Sequence, residues 1–167
     1  MFFRRRWREF VLFVVNTLCR GTRLYRLKRE MLNTCYNISI APNTKIVGPI
    51  YVGNCSTIKI GKESWIGRDL KVYGDGLVEI GDRCDLAPEV AFITGTHEIG
   101  EHDRRAGKGK LLSIHIGNGC WIGTRAMIYG SITIGNGSVI AAGSFVNKCF
   151  ENDLMIAGVP AKKLKGL

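Results

Sequence analysis

"IGNGCWIGTRAMIYGSITIGNGSVIAAGSFV", Ile116 to Val146, places an aliphatic side chain at every sixth residue: Ile116, Ile122, Ile128, Ile134, Ile140 and Val146. A period of six matches neither the 3.6 of a helix nor the 2 of a long strand. One inward aliphatic followed by a small residue makes a short strand and a sharp corner. Three such steps close a triangular coil, and coils stack at the ~4.8 Å strand spacing. A single coil cannot bury its own apolar edge, so several must stack.

The same beat runs toward the N-terminus through Ile40, Ile46 and Val52, then Ile60, Ile66 and Val72, then Ile80, Leu86 and Phe92. Within each trio the step is six, and between these trios it is eight, so two extra residues enter at one corner. The residue after the first two anchors of each trio is Gly or Ala, Val47 excepted. Four residues after an anchor the side chain is often compact: Thr44, Ser64, Cys84, Cys120, Ala126, Ser138, Ser144. A sandwich of short alternating strands predicts neither the constant six nor the matched small positions. The expected fold is all-β, a parallel β-helix of about five triangular coils, about 24 Å tall. It occupies 36–167 and follows a basic amphipathic helical segment at 1–35.

The beat stops once, between Phe92 and Ile116, and all three histidines, His97, His102 and His115, lie inside the gap. A regular prism has no pocket, and an excursion of about Glu98 to Ser113, read as an irregular loop, can wall one. His115 precedes the inward anchor Ile116, so it points outward. A histidine facing such a pocket can take up or give a proton near neutral pH. A metal reading of His97 and His102 needs a third converging ligand, and no metal ligand is assigned.

Four motifs occur in order: "APEVAFITGTH" ending at His97, "CWIG" at Cys120, "AAGSFVNK" from Ala141, and "AGVPAKKLK" ending at Lys165. Over Ile38 to Lys165 the chain resembles the hexapeptide-repeat acyltransferases, in particular the galactoside, maltose and polysaccharide O-acetyltransferases. The resemblance implies a left-handed β-helix, a homotrimer, acetyl-CoA as co-substrate and a sugar or glycan acceptor in surface-polysaccharide biosynthesis. It implies His97 as the catalytic base. It places the co-substrate against Trp121, Gly123, Thr124, Ala142, Asn147, Lys148 and Lys165. Family members often carry an asparagine where Gly67 stands here, so Asp69 becomes the nearest polar residue for the acceptor, with His102 as a second. Asn147 replaces a common threonine, and "YGS" at Tyr129 replaces "NPG". Rival readings are an N-acetyltransferase acting on an amino-sugar or drug, and a non-catalytic or metal-binding hexapeptide-repeat protein.

The formal net charge of +10 calls for an anionic partner. Nucleic acid is not assigned, because no recognition motif accompanies the charge. The six cysteines form no C-x-x-C, and Cys84 and Cys120 sit at small inward positions, which suits a reduced, cytoplasmic compartment. The apolar run Phe10 to Val15 is far shorter than the ~20 residues that span a bilayer. Trp7, Phe10, Val11, Val14 and Leu18 fall on one helical face amid arginines. That pattern suits peripheral contact of residues 1–32 with an anionic membrane, and equally a cap on the first coil.

Overall fold

The six-residue period closes into a three-faced prism. The computed structural model describes residues 2–167; Met1, the first residue of the segment 1–35, lies outside them. The first face stacks Ile38–Ile40, Thr57–Ile60, Leu77–Ile80, Ser113–Ile116 and Ile132–Ile134. The second stacks Lys45–Ile46, Trp65–Ile66, Asp85–Leu86, Trp121–Ile122, Val139–Ile140 and Leu154–Gly158. The third stacks Ile50–Val52, Leu70–Tyr73, Ala91–Ile93, Met127–Tyr129 and Phe145–Val146. Every pairing within these stacks is parallel.

The anchors stack like on like. Ile46, Ile66, Leu86, Ile122, Ile140 and Ile156 form one continuous inward ladder. All fifteen aliphatic and aromatic anchors of the repeat are buried, and so are the compact residues from Thr44 to Ser144. Five coils are complete, and Phe150 with Leu154–Gly158 begins a sixth. The final strand, Ala161–Gly166, turns back antiparallel along Leu154–Gly158.

Two of the three corners are built alike in successive coils. Asn43, Glu63, Arg83, Gly119 and Gly137 take positive φ between the first and second faces. Asp69, Glu89, Arg125 and Gly143 do so between the second and third. At the first of these corners the side chains of Asp82, Asn118, Asn136 and Asn152 each accept a backbone N–H from the coil below. A Cβ on Gly117 would lie 2.6 Å from the Asn136 nitrogen, so the ladder needs glycine there. The third corner is the variable one, where the extra residues of the eight-residue steps enter.

The long excursion leaves at that same corner. It is a two-stranded antiparallel hairpin, Gly95–Ile99 with Ala106–Leu111, and not the irregular loop read from the sequence. His97 is therefore on a strand, opposite Gly109, and His102 is at the turn. The returning strand "AGKGKL" is exposed almost throughout and has no apolar alternation, so period-based reading has nothing to detect. A Cβ on Gly100 would collide with the Arg104 carbonyl, so the turn needs glycine there.

Two helices cover the first coil: α1 (Phe2–Thr17) and α2 (Tyr25–Asn33). The side of α1 that packs inward carries Arg8, Val11 and Val15. Of the apolar face read from the sequence only Val11 is buried, while Trp7, Phe10 and Leu18 are exposed. The reason is polar. The first coil presents backbone groups that need partners, and the cap supplies them. Arg8 donates to the carbonyls of Gly53 (2.6 Å), Asn54 (3.1 Å) and Ser56 (3.2 Å). Burial pushes its guanidinium below its ordinary pKa, partly offset by Tyr36 beside it. Lys28 donates to Val47 O at 3.0 Å. Asn33 both donates to and accepts from the backbone of Ile40, and Asn16 does the same with Ile50 at 2.7 and 2.9 Å. Asn16→Leu should therefore leave one N–H and one carbonyl unpaired at a partly buried site. The expected loss is about 1–3 kcal/mol, read as a lower denaturant midpoint at unchanged slope. An unchanged midpoint would show that this pair contributes nothing.

Candidate active site

The outward residues of the second face form a column in register: Lys45, Trp65, Asp85, Trp121, Val139 and Met155. Beside its upper half, toward the third face, runs an apolar groove of about 280 Å³. Trp121, Gly123, Thr124 and Ala142 line it, with Ala87 and Met155 at its ends. These first four are all expected co-substrate positions. The coils pack closely beneath it, since a Cβ on Gly123 would lie 2.5 Å from the Ala142 nitrogen. Trp121 is more than half exposed and forms the groove's free wall. Ala87 and Met155 were not singled out from the sequence. Their place follows once Trp121 is paired with Asp85 on one side and Val139 on the other.

Of the other three expected co-substrate residues, Lys165 lies beside this groove, and Asn147 and Lys148 lie across the third face from it. Lys165 pairs across the antiparallel edge with Met155. Asn147 and Lys148 follow the last strand of the third face and are exposed, with Lys148 Nζ 5.4 Å from the centre of the Phe150 ring. A larger and more open hollow, about 500 Å³, lies at the cap end between Arg20, Gly21, Gly48, Pro49, Arg68 and Asp69. It is more open and more polar, and it lacks the apolar wall of the Trp121 groove.

The hairpin is pinned at its base. Tyr129 Oη donates to Thr96 Oγ1 at 3.0 Å, and the Tyr129 ring stacks on Phe145 at 6.2 Å. His97 is the next residue, exposed, with only a glycine across from it. His102, at the turn, is also exposed. His115 stands where the chain rejoins the first face and points outward as expected, its Nδ1 2.9 Å from Glu79 Oε2. Lys59 donates to the other Glu79 oxygen at 2.8 Å, and that bond chiefly holds the Glu79 carboxyl below the usual carboxylate range. Asp69 is a left-handed corner residue, φ 58°, with its carboxylate 3.8 Å from Arg68 Nε. Among the described residues, no three His, Cys, Asp or Glu side chains gather as a metal would require.

Within one chain these parts are divided between edges. His97 leaves the prism between the third and first faces. The Trp121 groove and Asp69 lie along the corner between the second and third. The whole third face separates them. A histidine and a groove so placed belong to one site only where two prisms stand side by side.

A family model described as bacterial transferase hexapeptide (six repeats) matches residues 113–148. Galactoside O-acetyltransferase of Escherichia coli (strain K12) is 33% identical over 138 residues, which is 83% of this chain and 68% of that protein. A solved galactoside acetyltransferase in complex with coenzyme A superposes with a TM-score of 0.85 at 27% identity, covering 98% of this chain and 80% of that one. The polySia specific acetyltransferase NeuO superposes with a TM-score of 0.68 at 30% identity, covering 77% of this chain and 56% of that one. The stack of triangular coils is thus the left-handed parallel β-helix of such enzymes, here with two helices at its N-terminal end. The chain belongs to the hexapeptide-repeat acetyltransferase family, with the galactoside O-acetyltransferases among its relatives.

Proposed function

We propose that this protein transfers the acetyl group of acetyl-CoA to a sugar hydroxyl, that the sugar belongs to a surface polysaccharide or its precursor, and that the active form is a homotrimer. The observation that carries this reading is the groove of Trp121, Gly123, Thr124 and Ala142. Its apolar lining suits a pantetheine arm, and Lys165, paired with Met155 at the groove's end, can meet a phosphate; Asn147 and Lys148 stand on the His97 edge of the third face, where they can serve the groove of a neighbouring prism. His97 takes the proton of the acceptor hydroxyl as its oxygen attacks the thioester carbonyl. Collapse of the adduct breaks the carbon–sulfur bond, and the imidazolium returns the proton to the leaving thiolate. Asp69 lies on the groove's side of the third face, two coils below Trp121, where it can bind the acceptor. His102, at the hairpin turn, can close over it. The relatives act on galactosides and on polySia by name, which favours a glycan hydroxyl over an amine.

The test is thiol release from acetyl-CoA across soluble sugars, amino-sugars and lipid-linked glycans. Acceptor-dependent release with a glycan hydroxyl is the expected result. Release only with amines would replace O- by N-acetylation. No release with any acceptor, together with a tightly held metal in the purified protein, would favour the metal-binding alternative.

A further inference from the structure

The cap turns its polar side chains inward and leaves its aromatic ones outside. Phe3 is 79% exposed, Phe13 63%, Phe10 55% and Leu18 76%, and Leu24 and Leu27 continue the exposure at the start of α2. Helix α1 is thus apolar on two sides: Val11 and Val15 against the prism, the phenylalanines away from it. Around the outer side lie cations. Residues 2–35 hold nine, of which only Arg8 and Lys28 are buried, against two carboxylates, Glu9 and Glu30. Neither helix is long and apolar enough to cross a membrane.

We infer that this end of the prism docks on an anionic lipid surface, with the helices lying in the headgroup plane. An exposed aromatic row beside arginines supplies both terms of interfacial binding: burial of apolar side chains and attraction to anionic headgroups. A nucleic acid would satisfy the arginines and leave the phenylalanines in water. The helices cross the end of the prism, so its axis stands away from the surface. In the second-face column Trp121 is three rungs beyond Lys45, which puts the groove roughly 15 Å further from the lipid than the first coil. An acceptor held in the membrane by a lipid would meet the groove at that height. This inference does not rest on acetyl transfer and can fail separately from it.

The experiment is sedimentation of the full chain with phosphatidylglycerol-rich or phosphatidylcholine vesicles, at low and high salt. Two variants accompany it: Arg4→Gln with Arg23→Gln, and Phe13→Ser with Leu18→Ser. Strong binding to the anionic vesicles at low salt is expected, with each double variant weakening it on the order of tenfold. Thiol release with a soluble acceptor should stay unchanged in both. Absence of low-salt binding to anionic vesicles overturns the inference. So does a loss confined to the arginine variant, which would mark a general polyanion site. A phenylalanine–leucine variant that binds normally but sediments as a smaller assembly would assign the apolar row to a second copy of the chain, and would overturn it too.

Discussion

His97→Ala is expected to lower kcat by about 10²–10⁴-fold, the usual contribution of a positioned general base, while acetyl-CoA still binds. The side chain is exposed and pairs with Gly109 across the hairpin, so its removal opens no buried cavity within the chain. The hairpin's attachment runs through Thr96 and Tyr129, which the substitution does not touch. Loss of turnover with unchanged thermal stability and unchanged acetyl-CoA affinity would place the effect on the chemical step. A near-normal kcat with the true acceptor would remove His97 from the mechanism.

Mixed trimers give the second large effect. His97 and the Trp121 groove lie at opposite edges of the third face, so the proposed site draws one from each of two neighbours. His97→Ala and Trp121→Ala subunits should each be nearly inactive alone. In a cyclic trimer containing both kinds, one of the interfaces pairs an intact His97 with an intact Trp121, so about a third of the sites should work. Differently tagged subunits, co-expressed and purified through both tags, should therefore recover turnover far above either parent. Mixed trimers as dead as their parents would show that both residues serve one subunit's site.

The prism was legible because its determinants are local and repeated. Each anchor from Ile40 to Val146 stacks on its equivalent in the next coil, and a fixed period reports that directly. Trp121, Gly123, Thr124 and Ala142 were legible as motif positions, and the structure gathers them into one groove. The hairpin was not legible, since its strands pair with each other by backbone bonds and bury no apolar face. The orientation of α1 was not legible for a related reason. Its apolar face suits a membrane and a cap equally, and the rim of the first coil needs donors and acceptors more than it needs apolar cover. Arg8 and Asn16 meet that need, and a helical wheel of hydrophobic residues does not score it.

The two ends of the stack have a bearing on how copies of the chain can associate. A coil of parallel strands is a template for another coil, and an unblocked solenoid would add molecules end to end into a fibre. Here growth is blocked in one direction by Arg8, Asn16, Lys28 and Asn33, which occupy the backbone groups a further coil would use. In the other direction Ala161–Gly166 folds back antiparallel over the last strand of the second face, a polarity that no incoming parallel coil can continue there. With axial addition blocked, the prism's flanks are the surfaces left for self-association. The same terminations end the stack of coils and so favour the closed trimer proposed above over open filaments, the geometry in which a histidine on one edge and a groove on another can find each other.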